Sequence, residues 1–177
     1  MNDTPPQFHR LEGTQRLPRP LAEVFAFFAD AANLEAITPA FLRFRMLTPT
    51  PIVMRRGMRI DYALSLYGVP IRWRTRITCW EPGVRFVDEQ ESGPYAHWRH
   101  LHEFEAKGDT TLMRDIVDYR EPFGPLGRVA HALFVRRTLE RIFDFRHDAT
   151  RAWSARPGHA ASKAKDVRAR EPLEVIR

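Results

Sequence analysis

The chain has 177 residues, 44% of them hydrophobic, with 28 Lys/Arg against 22 Asp/Glu and a formal net charge of +6. That length suits one domain, which buries roughly 68–70% of its unfolded surface, and apolar residues recur from residue 8 to residue 153, excluding a disordered chain. The single cysteine, Cys79, excludes an intramolecular disulfide, and the most apolar stretch, Leu21 to Leu34, is broken by Glu23 and Asp30 and is too short to cross a bilayer.

Met1 to Arg10 holds two prolines and no apolar run, so it does not read as a signal peptide, and a cytoplasmic location is expected. Residues 154–177 carry six Lys/Arg against three Asp/Glu, so half of the +6 lies there and only +3 is spread over the other 153 residues. No basic helix stands out, and nucleic acid is not an expected partner. The expected organisation is a flexible segment 1–7, one domain over 8–153, and a basic disordered tail over 154–177.

Along the chain, Leu11 to Leu17 alternates as an opening strand that ends at Pro18. Leu21, Val24, Phe25 and Phe28 then fall on one face of a helix, with Pro20 suited to its first turn. Asn33 is positioned to cap a second short helix, Leu34 to Ile37, which Pro39 ends. From Phe41 the period becomes two. Phe44 and Met46 share a face, and Ile60, Tyr62, Leu64 and Leu66 form a half-buried strand. Gly68-Val69-Pro70 turns the chain into Ile71, Trp73, Thr75 and Ile77, which alternate with Arg72, Arg74 and Arg76.

Glu81-Pro82-Gly83-Val84 has Pro and Gly where a type II turn needs them. Strands follow over Phe86–Glu91, Tyr95–Lys107 and Thr110–Arg120, the last two joined by Gly108-Asp109. After Pro125 a helical stripe runs through Val129, Leu133, Leu139, Ile142, Phe143 and Trp153, predicting a helix about 40 Å long that must lie across a sheet to bury it. The three arginines face away from Trp73, and Glu89 and Glu91 offer partners on the next strand, so a charge-compensated outer sheet face is expected.

This order resembles the helix-grip fold of the START, polyketide-cyclase and birch-pollen-allergen superfamily. The residues carrying the resemblance are Pro20 to Phe28, Asn33-Leu34 with Thr38-Pro39, Gly93-Pro94 with Trp98, His100, His102 and Phe104, Asp115 to Tyr119, and Pro122 to Gly127. It implies an α+β fold: a curved antiparallel sheet of about seven strands, two short helices, and one long C-terminal helix packed across it. It also implies a cavity for an apolar or amphipathic small molecule, without specifying one chemistry.

Strand parity selects the residues that face such a cavity. Trp98, His100, His102 and Phe104 share a face, as do Met113, Asp115, Val117 and Tyr119, and Phe86, Asp88 and Gln90. Polar groups among apolar neighbours need partners. They form an internal network, orient a ligand, or act as a general acid–base set of His100 or His102 with Asp115. Tyr62, Trp73, Trp98 and Met113 are the expected walls, with Asp88, Gln90, His100, His102, Asp115 and Tyr119 as the polar contacts. Arg146 either packs its stem on the core with its head in water, or enters the cavity to meet Asp88 or a ligand carboxylate.

His100 and His102 have metal-ligand spacing with Asp88 or Asp115 as a third donor, but no His-Glu-x-x-His or Cys-x-x-Cys accompanies them and Cys79 sits on the Trp73 face, so neither metal nor cofactor is expected. The leading expectation is a binder of a hydrophobic small molecule such as a lipid, quinone or polyketide-like compound. The alternatives are a cyclase or dehydratase using the same pocket, and a module that engages a partner through the basic tail.

Overall fold

The structure, a computed structural model, describes residues 8–122 and 134–156. Seven antiparallel strands form one sheet, β1 (His9–Leu17), β2 (Arg45–Met46), β3 (Arg59–Leu66), β4 (Val69–Glu81), β5 (Arg85–Ser92), β6 (His97–Lys107) and β7 (Thr110–Arg120), in the order β1-β7-β6-β5-β4-β3-β2. Among the described residues two α-helices accompany them, α1 (Leu21–Ala29) and α2 (Arg136–Ser154). The expected α+β helix-grip architecture is therefore the observed one.

The strands after β2 follow one another as hairpins because each connection has the turn residues it needs. Tyr67 and Gly68 both take positive φ between β3 and β4, the two-residue turn that matches strand twist. Strand β4 thus starts at Val69, earlier than expected. Pro70 is tolerated in it because β4 pairs only with β3 there and meets β5 from Arg74 onward. Gly83 takes φ 75 in the turn after Pro82, closed by the Val84 amide donating to the Glu81 carbonyl at 3.0 Å.

A bulge in β4 overturns one expectation. Ile77 pairs with Asp88, but Cys79 pairs with Val87, so Thr78 is skipped and parity reverses. Trp80 consequently packs inward on Phe25 and Phe86. Cys79 leaves the Trp73 face and bonds the surface carboxylate of Glu81 at 3.5 Å.

The segment after α1 is a 3₁₀ turn, Ala31–Leu34, followed by another at Ala40–Leu42, rather than a helix over 34–37. Its cap is Asp30, which accepts from the Ala32 amide at 2.9 Å, while Asn33 instead donates to the Phe27 carbonyl. Of the long last helix expected from Pro125, residues 136–154 are α2, and 123–133 lie outside the described residues. Ser154 still belongs to the packed helix, and residues 1–7 and 157–177, covering most of the expected tail, also lie outside the described set.

The end of α2 is fastened to the start of the domain by a residue that periodicity does not single out. Arg19 donates through Nε to the Ser154 carbonyl at 3.0 Å and through its other nitrogens to the Arg156 carbonyl and Glu23, and lies 5.0 Å over the Trp153 ring. A cation there meets the negative end of the helix and its last free carbonyls. Phe27 stacks on Trp153 at 4.0 Å.

The core divides in two along the sheet. Val24 and Phe25 of α1 cluster with Leu17, Phe86, Phe104 and Met113, and Leu139 of α2 clusters with Val117 and Tyr119. On the outer face, ion pairs link Arg74 to Asp61, Arg59 and Arg76 to Glu91, Arg99 to Glu89, and Arg114 to Glu12 and Glu103. The expected charge ladder is present, though Arg74 pairs toward β3 rather than β5.

Candidate functional site

With α2 seated over the β1–β7–β6 side, the inner faces of β3 and β4 are left to wall a cavity of about 220 Å³. Its lining is overwhelmingly apolar: Leu64 and Ile71 at the β3–β4 end, Ile37 and Leu42 from the 3₁₀ segment, Leu139 and Ile142 from α2, with Tyr62, Trp73 and Trp98 between them. Tyr62 stacks on Trp73 at 6.0 Å, and Trp73 meets Trp98 edge-on at 5.1 Å. Tyr67 and Phe134 also line it and are well exposed, so the rim lies between the β3–β4 turn and the start of α2. The Tyr67 hydroxyl bridges that rim, 2.6 Å from Thr138 Oγ1.

One wall of this apolar space is charged. Register places Asp88 of β5 opposite His100 of β6, and His102 opposite Asp115 of β7. The four side chains close a square. Asp115 Oδ1 is 3.1 Å from His100 Nε2 and 2.7 Å from His102 Nδ1. The first is a hydrogen bond. The second is a close ionic contact whose angle is not that of a hydrogen bond, so His102 Nδ1 has no formal partner. On the other side, Asp88 Oδ2 is 3.4 Å from His102 Nε2 and 3.8 Å from His100 Nδ1. The imidazoles lie 3.9 Å apart.

Burial works against every charge in the square. At Asp115 it is outweighed by His102 and His100, which hold the carboxyl well below the usual range, and at Asp88 the same histidines with Thr75 produce a lesser lowering. The imidazoles separate: burial, helped by His102, lowers the pKa of His100, whereas Asp115 and Asp88 overcome burial at His102 and raise it.

Besides His102 Nδ1, which touches Asp115, two buried N–H donors of the cavity lining have no acceptor among the described residues, Nε1 of Trp73 and Nε of Arg146. The Arg146 guanidinium lies 5.8 Å from the Phe143 ring centre, and among the described residues it forms no ion pair with Asp88. Burial pushes the Tyr62 phenol up, Asp88 adding to the rise and Arg146 opposing it.

The sequence matches the model of a family described as polyketide cyclase / dehydrase and lipid transport over residues 17–145. The chain belongs to that family. No curated protein matches it at a significant level. The structure is similar to that of the ZhuI aromatase/cyclase from Streptomyces sp. R1128, with a TM-score of 0.70 at 16% identity, covering 88% of this chain and 98% of that one. It is also similar to protein CV1439 from Chromobacterium violaceum (TM-score 0.65, 12% identity, 84% and 98% covered) and to a START superfamily protein from Mycobacterium smegmatis (0.57, 12%, 77% and 93%). At these identities the likeness is one of fold.

In this member of the polyketide cyclase and lipid transport family, the cavity gathers Tyr62, Trp73, Asp88, Trp98, His100, His102 and Arg146 from the residues singled out in the sequence. The other four fall outside its lining. Met113 is sealed in the core under α1, and Tyr119 is sealed against Tyr95 and Trp98. Asp115 stands behind the imidazoles and lines a separate groove with Gly13 and Gln15. Gln90 turns to its own strand end, donating to the Tyr95 carbonyl at 2.7 Å and accepting from the Tyr95 amide at 3.3 Å. All four share the correct face, but the helices cover Met113, Asp115 and Tyr119, and the Tyr95 backbone holds Gln90.

Sequence reasoning missed Thr75 as a polar member, although it lies in the Trp73 alternation; its hydroxyl donates to Asp88 Oδ1 at 3.1 Å. Among the described residues no helix is long and apolar enough to cross a membrane.

Proposed function

We propose that this chain binds a small, mostly apolar molecule carrying an acceptor oxygen, a carboxylate or a conjugated carbonyl, inside the cavity between sheet and α2. The observation that carries this reading is the pair of unsatisfied buried donors, Trp73 Nε1–H and Arg146 Nε–H, in an otherwise greasy space. Buried donors without acceptors are unfavourable by about 1–3 kcal/mol each, and an incoming oxygen relieves that cost where an alkane cannot. The volume supports a compact guest. It exceeds the about 150 Å³ that houses benzene but falls short of the roughly 300 Å³ typical of drug-sized ligands. A longer molecule would extend past Tyr67 and Phe134. Family membership is consistent with lipid or polyketide-like guests.

The test is fluorescence titration of the full chain with a conjugated fatty acid and with its uncharged methyl ester, following quenching of Trp73 and Trp98. The acid binds one per chain and more tightly than the ester, and Arg146→Gln removes roughly a tenfold or greater part of that preference, as expected of a charge-assisted hydrogen bond. Failure of both molecules to bind, or an acid preference indifferent to Arg146→Gln, overturns the reading.

A second reading, cyclisation or dehydration by general acid–base transfer, is favoured by two cavity-lining imidazoles whose His100 Nδ1 and His102 Nε2 lie beside Asp88, with Asp115 behind them. In that case Asp115→Asn keeps binding and loses turnover.

A further inference from the structure

We propose that Asp88, His100 and His102 form a site for one divalent transition-metal ion on the cavity wall. One donor atom from each lies within 4.8 Å of the others, with Asp88 Oδ2 at 3.4 Å from His102 Nε2 and 3.8 Å from His100 Nδ1. Nitrogen and oxygen ligands at about 2.0–2.2 Å from a tetrahedral ion stand about 3.4 Å apart, so the two edges that meet at Asp88 are near working size and the third lies within 4.8 Å.

What sets this group apart from a chance gathering is how the non-ligating atoms are held. His100 Nε2 and His102 Nδ1, the nitrogens turned away from Asp88, both meet Asp115 Oδ1 at 3.1 and 2.7 Å. With those nitrogens protonated toward Asp115, His100 Nδ1 and His102 Nε2 present lone pairs to a common point. Thr75 donates to Asp88 Oδ1, leaving Oδ2 for the ion. A carboxylate behind a ligating imidazole is how metal sites fix tautomer and aim; here one carboxylate oxygen hydrogen-bonds His100 and lies in ionic contact with His102, while a hydroxyl serves the third ligand.

Charge agrees with geometry. With both imidazoles neutral, as ligation requires, the two buried carboxylates carry negative charge that a divalent cation balances in place of a proton. Asp88, His100 and His102 line the cavity and Asp115 does not. An ion held by three protein ligands would therefore turn its open position toward the guest. Two imidazoles and one carboxylate suit zinc or iron(II) rather than calcium or magnesium, which prefer oxygen. His-x-His on a strand needs no helical motif, because alternate residues already share a face. The site's existence does not depend on the proposed guest, although its use, to hold the guest's oxygen, rests on that reading.

The chelator-stripped full chain is titrated with Zn²⁺ by calorimetry and with Co²⁺ by visible absorption. One ion binds per chain, and Co²⁺ develops the d–d bands of a low-coordinate nitrogen–oxygen site. Asp115→Asn weakens affinity by about 10–100-fold. Asp88→Asn and His102→Gln weaken it further, and the outer-face change Arg74→Gln leaves it unchanged, with circular dichroism reporting the fold of each variant. Absence of stoichiometric uptake, or uptake equal in the wild type, Asp88→Asn and His102→Gln, overturns the site. Where those variants do not fold, X-ray absorption of the zinc-loaded wild type decides: two coordinated imidazoles support the site, and an oxygen-only or one-imidazole shell overturns it. Fatty-acid binding is measured on the same samples. A guest bound without metal uptake sinks the metal site alone, and metal uptake without a guest sinks the ligand reading alone.

Discussion

Asp115 Oδ1 lies 2.7 Å from His102 Nδ1, on the side of the imidazole turned away from the cavity. The contact joins the middle of β7 to the middle of β6 between the two halves of the core, so its partners are buried together. Removing one member strands the others. Asp115→Ala is expected to lower stability by about 3–5 kcal/mol, the range for breaking a buried ionic pair, and Asp115→Asn by less, because the amide fills the space and still accepts a hydrogen bond. Urea unfolding followed by circular dichroism measures both; an alanine variant within about 1 kcal/mol of wild type would show that the square is not mechanically coupled to the fold.

Gly93 and Gln90 form a second coupled pair. A Cβ added at Gly93 would lie 2.4 Å from Gln90 Oε1 and 2.6 Å from its Cδ, so the amide would have to leave both of its bonds to Tyr95. Gly93→Ala is expected to cost about 1–3 kcal/mol. In a Gln90→Ala background the same change meets no side chain and costs less. Equal penalties in the two backgrounds, read from a double-mutant cycle, would contradict the clamp.

Phe27 and Trp153 stack at 4.0 Å, with the Arg19 guanidinium 5.0 Å from the indole. Trp153→Ala should remove about 3–5 kcal/mol of stability, and an added Arg19→Met change should cost less in that background than alone. Independent, additive effects would separate the cation from the stack.

Alkaline pH tests the buried phenols. Burial first, with neighbouring groups contributing, pushes Tyr119 up to about 12 and raises Tyr62 and Tyr95 as well. A raised folded pKa means that above the ordinary value near 10 the unfolded chain releases protons that the folded chain retains. Stability is thus unaffected below pH 10 and falls as pH rises above it. Phenolate absorbance from these three residues should appear together with loss of tertiary circular dichroism. Full titration near pH 10 in a still-folded protein would be the contrary result.

Much of the site was legible because strand parity is a local property. Two residues per repeat place His100 and His102 beside Trp98 and Phe104 wherever β6 sits, and the same rule puts Asp88 and Trp73 on the inner face. The order of strands and helices, read from period and turn residues, also carried through to the architecture.

What parity cannot supply is which stretch of that face remains open. Met113, Tyr119, Gln90 and Asp115 obey the same alternation as the cavity residues, yet helix packing and a local clamp take them out of the lining, and those positions depend on contacts distant in sequence. The bulge at Thr78 that sends Cys79 outward and Trp80 inward exists only once β5 is laid alongside β4. Likewise, the alternation of single strands puts imidazoles and carboxylates on a common face, but only pairing three strands in one register turns their nitrogens toward two shared oxygens. Backbone geometry sets direction residue by residue; long-range packing decides which of those directions meet.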